Sequence, residues 1–545
     1  MSKKSGTDNP LRLFNPTEYA RIAVGPLSRK IGFSNFRRFI DFEPIEYDRI
    51  TFLVGRNNSG KSTVVKALML VVNFLKSGQI ATFSFGEEML ENANIVTYER
   101  AKNRLARADF IRFVHGFGNY EVRLIVTGEP GMTSARVQEL ILIDHALKIT
   151  FTLNPAQHRI KLDAQGATPE LETTEPQAEE PRLEMLKKEL RKWSKDKTSK
   201  VYIELNQEVE ALKRKLSLLA RSNQVDKPRG GGFSIASVYP EGLELQDALL
   251  AFLSESISMT FDRFKKLPEN KGRKANELKA AFSGYVGLHE LGKELRASVN
   301  GFFAKLNEVS LYYLGASSTK QPALYAIRDR NNALAQAIHE YRQLGIKPGE
   351  AAHVFLINWL KEENGFEVGD EFEIVTRAGE AYEVNVSSHG TKIPLSDKGM
   401  GSIQAMLLLF RLACIIHKTE KNPAYQPIVI IEEPELNLHP ALQSRLTDLF
   451  LDVHTKYGID FLVETHSEYM VRRTQVLVAE QGYATEVGDN PFAVIYFPKD
   501  LTHPPYALVH REDGTFDKSF GSGFLDEGSR HTLELIRMRR EKGAK

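Results

Sequence analysis

Gly55-Arg56-Asn57-Asn58-Ser59-Gly60-Lys61-Ser62 decides how the rest of this sequence is read. The stretch fits GxxxxGK[ST], and its surroundings matter as much as the pattern. The run ITFLV before it, ending at Val54, has the look of a strand, and from Val65 to Leu75 the apolar residues recur at helical spacing. Strand, glycine-rich turn and helix together make a phosphate cradle. Backbone N–H groups must point inward around an anion, glycines are needed where a side chain would block the approach, and the positive end of the helix faces the bound charge. On this reading Gly55, Asn57, Asn58, Ser59, Gly60 and Thr63 line an ATP site. Lys61 reaches the β and γ phosphates, and the Ser62 hydroxyl holds Mg²⁺.

Three stretches further along the chain supply what such a loop needs. In IVIIEEPELNLHP, Ile428 to Ile431 read as a buried strand ending in Glu432 and Glu433. A carboxylate at a strand tip can hold the metal through water, and its neighbour can polarise the attacking water, so Glu432 is assigned to Mg²⁺ and Glu433 to the water. Standing alone, the segment would read equally well as a strand followed by two solvated acids. In DFLVETHSEYMVRR a short apolar strand runs into His466, on the ligand edge of a parallel sheet, where it can hydrogen-bond the γ phosphate, although standing alone it would read as a capping or surface histidine. In LSDKGMGSIQAMLLLF a Ser/Gly-rich turn, Leu395 to Ser402, leads into a buried helix and offers backbone N–H groups to an anion. Ser396 lies 335 residues beyond Lys61, so the phosphate it serves can belong to another subunit.

Composition narrows the classes. The 545 residues are 42% hydrophobic and 26% charged, enough for two packed domains, and 72 Lys/Arg against 70 Asp/Glu leave a net charge of +2. No whole-surface attraction to nucleic acid or to an acidic membrane exists, so any such contact is a local patch. Cys414 is the sole cysteine, which excludes an internal disulfide and a four-cysteine zinc site. Residues 1 to 25 are polar and broken by Pro10 and Pro16, without the apolar core of a secretory signal. The longest apolar stretch, Ala405 to Ile416, contains Arg411 and is shorter than the roughly 20 residues that span a bilayer. A cytoplasmic protein without membrane contact is expected.

Four regions follow from composition shifts. Residues 1–162 form the first part of an ATPase head, with KIGFSNFRRFIDF and ITFLV as two strands of one sheet and further strands (YEVRLIVTG, ELILID, LKITFTL) in a flanking antiparallel sheet. Residues 163–307 read as one insertion: a Pro- and acid-rich linker, a helical hairpin, and amphipathic helices. Within it, 182–230 carries 14 Lys/Arg against 7 Asp/Glu, which suits either a DNA-tracking arm or the solvated face of a short coiled coil. Residues 308–500 return to the head, and 501–545 form a tail. Each hairpin helix has at most about 20 residues, or about 30 Å, which excludes long arms.

The order of these elements resembles the ABC-type ATPases of the RecF, SMC and OLD group, and EEPELNLHP with ETHSE resembles the OLD-like members. The match spans roughly residues 28–162 and 308–530. It implies an α/β fold, a two-lobed head with a phosphate-loop sheet, an antiparallel sheet lobe and a helical or coiled-coil insertion. It also implies a homodimer in which ATP lies between the phosphate loop of one head and the signature turn of the other. Leu395, Ser396, Gly399 and Gly401 occupy the signature, although LSDKGMGS departs from LSGGQ and leaves open whether Ser396 or Ser402 faces the phosphate. Glu435 to His439 occupy the dimer-contacting D-loop, and His466 is the switch histidine. OLD nucleases carry a metal-binding domain after that histidine, but only 79 residues remain here and they contain no Asp-x-Asp. The ending LVHREDGTF…GFLDE is similar to the tail of Septu-type defence ATPases, which act with a separate HNH-type nuclease and resemble ATPases encoded beside retrons, with a reverse transcriptase and its noncoding DNA. An ATPase without nuclease activity of its own, controlling a nuclease partner in defence against phage, is what that resemblance implies. A stand-alone RecF- or SMC-like DNA-binding ATPase in repair is the alternative.

Overall fold

The apolar runs sort into sheets of different character. The computed structural model describes residues 29–86, 95–164, 233–267, 270–315, 324–363, 365–483, 490–499, 503–521 and 527–543, with Val209 and Pro322 as isolated positions. At the centre lies a sheet in the order Val309–Leu314, Gln426–Glu432, Asp460–Thr465, Ile50–Gly55, Phe492–Phe497, Tyr506–Leu508. All but the last strand run parallel. The strand leading to His466 therefore lies between the phosphate-loop strand and the double-acid strand.

Parallel strands buried on both faces need apolar residues at nearly every position, which is why these segments lack polar alternation. Successive residues serve two cores. Leu53, Ile428, Ile430, Leu462 and Ile495 face one, while Phe52, Val54, Val429, Ile431, Phe461 and Val463 face the other.

The first core is closed by the phosphate-loop helix Lys61–Lys76 and by an antiparallel sheet. That sheet runs Phe233–Val238, Arg159–Ala164, Ile149–Asn154, Ser134–Asp144, Tyr120–Thr127, Ile111–Phe117, Lys30–Phe36, Phe39–Glu46, with Thr82–Ser84 alongside Ser134–Asp144. The second core is built from helices Ala333–Gln343, Ala351–Leu360, Met400–Lys421, Pro440–Tyr457 and Glu468–Gln481, together with a small antiparallel sheet around the hairpin Glu371–Arg377 and Ala381–Ser388. Two lobes around a phosphate-loop sheet, the expected α/β architecture, are thus present.

Three features differ from the sequence reading. KIGFSNFRRFIDF is itself a hairpin turning at Arg37 and Arg38, and ITFLV belongs to the other sheet. The reason is visible in burial: Phe39–Glu46 is exposed at Ile40, Asp41, Glu43 and Glu46, whereas Ile50–Gly55 is buried throughout. Within 163–307, Phe233–Val238 pairs with Arg159–Ala164, and helices Leu245–Ile257 and Gly292–Glu308 pack into the first core. Apart from Val209, the basic hairpin at 182–230 lies outside the described residues, as do Gly523 to Asp526 of the tail. Finally, the apolar stretch around Cys414 belongs to the 22-residue helix Met400–Lys421, which by length and composition alone suffices to cross a membrane. It is a core helix instead. Its apolar face fills the second core, and Arg411 and Lys418 both pair with Glu340.

Candidate active site

The phosphate loop takes the shape its glycines permit. Gly55 and Gly60 have φ of 150° and 107°, and Asn58 has φ 60°, a left-handed conformation that Asn tolerates better than most residues. A Cβ on Gly55 would stand 2.5 Å from the Phe497 carbonyl oxygen, and one on Gly60 would strike the Phe39 ring. The antiparallel lobe thus forms a wall of the loop. The Ser59 side chain is 3% exposed and its Oγ has no partner, and the Thr63 amide donates to the Gly60 carbonyl at 3.0 Å as the helix begins.

Lys61 is 2% exposed and donates to the carbonyls of Gly55 (3.1 Å) and Arg56 (3.2 Å) and to Nε2 of His466 (3.1 Å). Burial lowers its pKa, opposed chiefly by Glu464, whose Oε1 is 3.7 Å from Nζ. His466 has its pKa lowered to about 4, first by burial and then by the Lys61 charge, so at neutral pH its uncharged ring accepts a hydrogen bond from the Lys61 ammonium at Nε2. The same Nε2 lies 3.7 Å from Glu433 Oε1, and the His466 amide donates to Glu435 Oε1 at 2.7 Å. Lys61, His466, Glu433 and Glu435 therefore meet, and Glu435, expected in a segment facing the partner copy, bonds within its own chain.

Glu433 follows its strand with φ 49°, a conformation disfavoured for a side chain of this kind, and its amide is held by the Glu464 carbonyl at 2.8 Å. Strain of this sort collects at functional sites. Glu432 Oε1 is buried without a partner, and the Glu432 charge favours the protonated forms of Arg37 and Lys66, which burial opposes.

Ser62 does not bond to Glu432. Its hydroxyl donates to Glu464 Oε1 at 2.9 Å. Glu464 is 6% exposed, its Oε2 is unpartnered, and burial raises its pKa to about 7 against the pull of Ser62 and Lys61.

The signature residues form a second group. Ser396 lies in a single helical turn, Leu395–Asp397, with its hydroxyl on Asp397 Oδ1 at 3.2 Å, and Gly399 caps the helix that follows. A Cβ on Gly401 would come within 2.8 Å of the Asn437 carbonyl oxygen, so the signature helix rests on the 435–439 segment. A phosphate loop shaped by glycine, with buried orphan acceptors and a lysine beside it, fits a nucleotide triphosphate and its metal.

Residues 29–471 match the family described as AAA ATPase domain. The chain belongs to that family. No curated protein matches this AAA ATPase. Among solved structures it is similar to the Smc head domain of Pyrococcus furiosus with an extended coiled coil bound to the C-terminal domain of ScpA. That match has 12% identity and a TM-score of 0.36, covering 94% of this chain and 100% of the other. The Smc head of Pyrococcus yayanosii gives 13%, 0.34, 94% and 100%, and the SMC head domain from Thermotoga maritima 11%, 0.30, 89% and 100%.

Sequence reasoning missed Glu464 in this AAA ATPase, although ETHSE was read for its histidine. The signal was present: an acid directly after the apolar run Phe461–Val463, two residues before His466.

Proposed function

We propose that this AAA ATPase binds and hydrolyses ATP with Mg²⁺, pairs with a second copy when ATP is bound, and through that pairing controls a separate nuclease in bacterial defence against phage. The observation that carries the ATP part is the meeting of Lys61, Ser62, Glu433 and His466 at the carboxyl edge of the parallel sheet. Gly55, Asn57, Asn58, Ser59, Gly60 and Thr63 offer the loop to the phosphates, while Lys61 exchanges its carbonyl and imidazole partners for phosphate oxygens. Mg²⁺ bound near Ser62 and Glu432 would neutralise phosphate charge. Glu433 accepts a proton from the attacking water, and the neutral His466, already in contact with Lys61, orients toward the terminal phosphate.

Ser396 bonds to Asp397 and Gly401 packs on Asn437, and in this reading Ser396, Gly399 and Gly401 serve the phosphate bound by the partner copy. An HNH-type nuclease partner is supported by the tail sequence, and the surplus of basic residues in 182–230 favours a second reading, a RecF- or SMC-like ATPase that contacts DNA directly.

Lys61→Ala tests the core of the proposal, because one lost charge-stabilising contact of this kind costs about 10²–10³-fold in turnover. ATPase rate and thermal melting are measured together. Wild-type turnover in a normally folded variant rejects the site. Co-purification of a nuclease then separates the partner reading from the second, which requires ATP-dependent binding of bare DNA by the isolated protein.

A further inference from the structure

Two strand-tip acids lie on the metal side of this site, and the one nearer to the phosphate loop is not Glu432. The strand Asp460–Thr465 separates the double-acid strand from the phosphate-loop strand, with Glu464 registered against Glu432 on one side and Leu53 on the other. Neighbouring strands lie about 4.8 Å apart, so Glu432 is one full strand further from the loop. Both acids share the face of the sheet that carries the phosphate-loop helix, since Leu462 and Ile430, two residues before each, point into the same core.

The Ser62 hydroxyl has one hydrogen and two lone pairs. Its hydrogen goes to Glu464 Oε1 at 2.9 Å, which leaves the lone pairs for a cation and fixes where they point. The other carboxyl oxygen, Oε2, is buried without a partner on a residue only 6% exposed, so Glu464 brings an unsatisfied oxygen to the place where a metal and its waters would sit.

We infer that Glu464 is a positioning residue of the Mg²⁺ site, holding the Ser62 hydroxyl in the orientation that meets the metal and sharing with Glu432 the carboxylate role around the metal's water. The inference rests on the ATP reading proposed above and adds an acid from the switch-histidine strand to it.

Mn²⁺ affinity of the protein saturated with AMP-PNP, read from the electron paramagnetic resonance of free Mn²⁺, tests this without turnover. Glu464→Gln should weaken Mn²⁺ binding about 10–100-fold relative to the variant's own AMP-PNP affinity in EDTA, the range for lost outer partners of a metal ligand. Glu464→Asp, which keeps the charge but shortens the reach by one methylene, should give an intermediate loss, and it serves as the test if the amide variant fails to fold. In a Ser62→Ala background Glu464→Gln should add less than it does alone, because the hydroxyl it positions is gone. Wild-type Mn²⁺ affinity in the Glu464 variants, with a loss in Glu432→Gln, overturns the inference and leaves the metal to Glu432. Failure of the wild-type protein to bind AMP-PNP overturns the ATP reading instead.

Discussion

Glu433 combines a left-handed backbone at φ 49° with a carboxylate 3.7 Å from the imidazole of His466, so its side chain is aimed by a conformation that most residues avoid. Glu433→Gln keeps that shape but cannot accept a proton from water. It should bind ATP normally and turn over about 10²–10⁴-fold more slowly, the range for loss of a general base. The ATP-bound pair should then persist in size-exclusion chromatography, and normal turnover by this variant rejects the assignment.

A second residue-level prediction concerns His510, buried with its pKa lowered to about 4. Thr474 gives its hydroxyl proton to the Val471 carbonyl, so it accepts from Nε2 of His510, while the Asn490 amide donates to Nδ1. Both ring nitrogens are thereby committed to the neutral form. The unfolded chain takes up a proton near the ordinary value of 6.5 and the folded chain does not until about 4, so stability falls as pH drops through that window. The slope approaches about 1.4 kcal/mol per pH unit from this one ring. Denaturant unfolding of His510→Gln between pH 6.5 and 5 should show a correspondingly shallower loss than the wild type. Equal slopes would show that the ring titrates normally.

At the scale of elements, the two glycines of the signature turn answer to different constraints. Gly401 is required inside the chain, because a Cβ there meets the Asn437 carbonyl at 2.8 Å. Gly399 is not: its φ is −62° and a Cβ would have nothing within 4 Å. Gly399→Val should therefore cost only about 1 kcal/mol, the loss of a favourable N-cap residue without a steric clash, yet abolish turnover if a partner's phosphate must approach this turn. Mixing it with Lys61→Ala protein should restore activity above the sum of the separate rates, since the two defects lie on opposite sides of one shared site. Full activity of Gly399→Val would argue that each head works alone.

The elements also show what could be read in the sequence. The phosphate loop was legible because glycine, lysine and serine spacing is a local requirement, and the buried strands were legible from their apolar runs. Glu464 was not, because its role depends on strand order: only when Asp460–Thr465 is inserted between its two neighbours does that acid face Ser62. The same holds for ITFLV, whose partners lie more than 400 residues away, and for Phe39 as a wall of the loop at Gly60.

In the whole molecule, one sheet divides two cores, and its strands come from both ends of the chain. Phe52 is fully buried in the second core, so Phe52→Ala should cost about 3–5 kcal/mol, as for other large-to-small changes in packed interiors, and should destabilise both lobes in a single unfolding transition. Separate transitions would mean that the lobes fold independently.

That arrangement also sets a schedule for the protein's birth. The phosphate loop leaves the ribosome early, yet its strand stands between Asp460–Thr465 and Phe492–Phe497, which emerge more than 400 residues later. At about 5–20 residues per second, the loop waits on the order of 20–90 seconds for the neighbours that hold it. During that interval Phe52 and Val54 lack the strands that flank them, and only the second-core helices from Ala333 onward, emerging as synthesis proceeds, are there to cover them. The loop thus meets Glu464 and His466 only when most of the chain has been made.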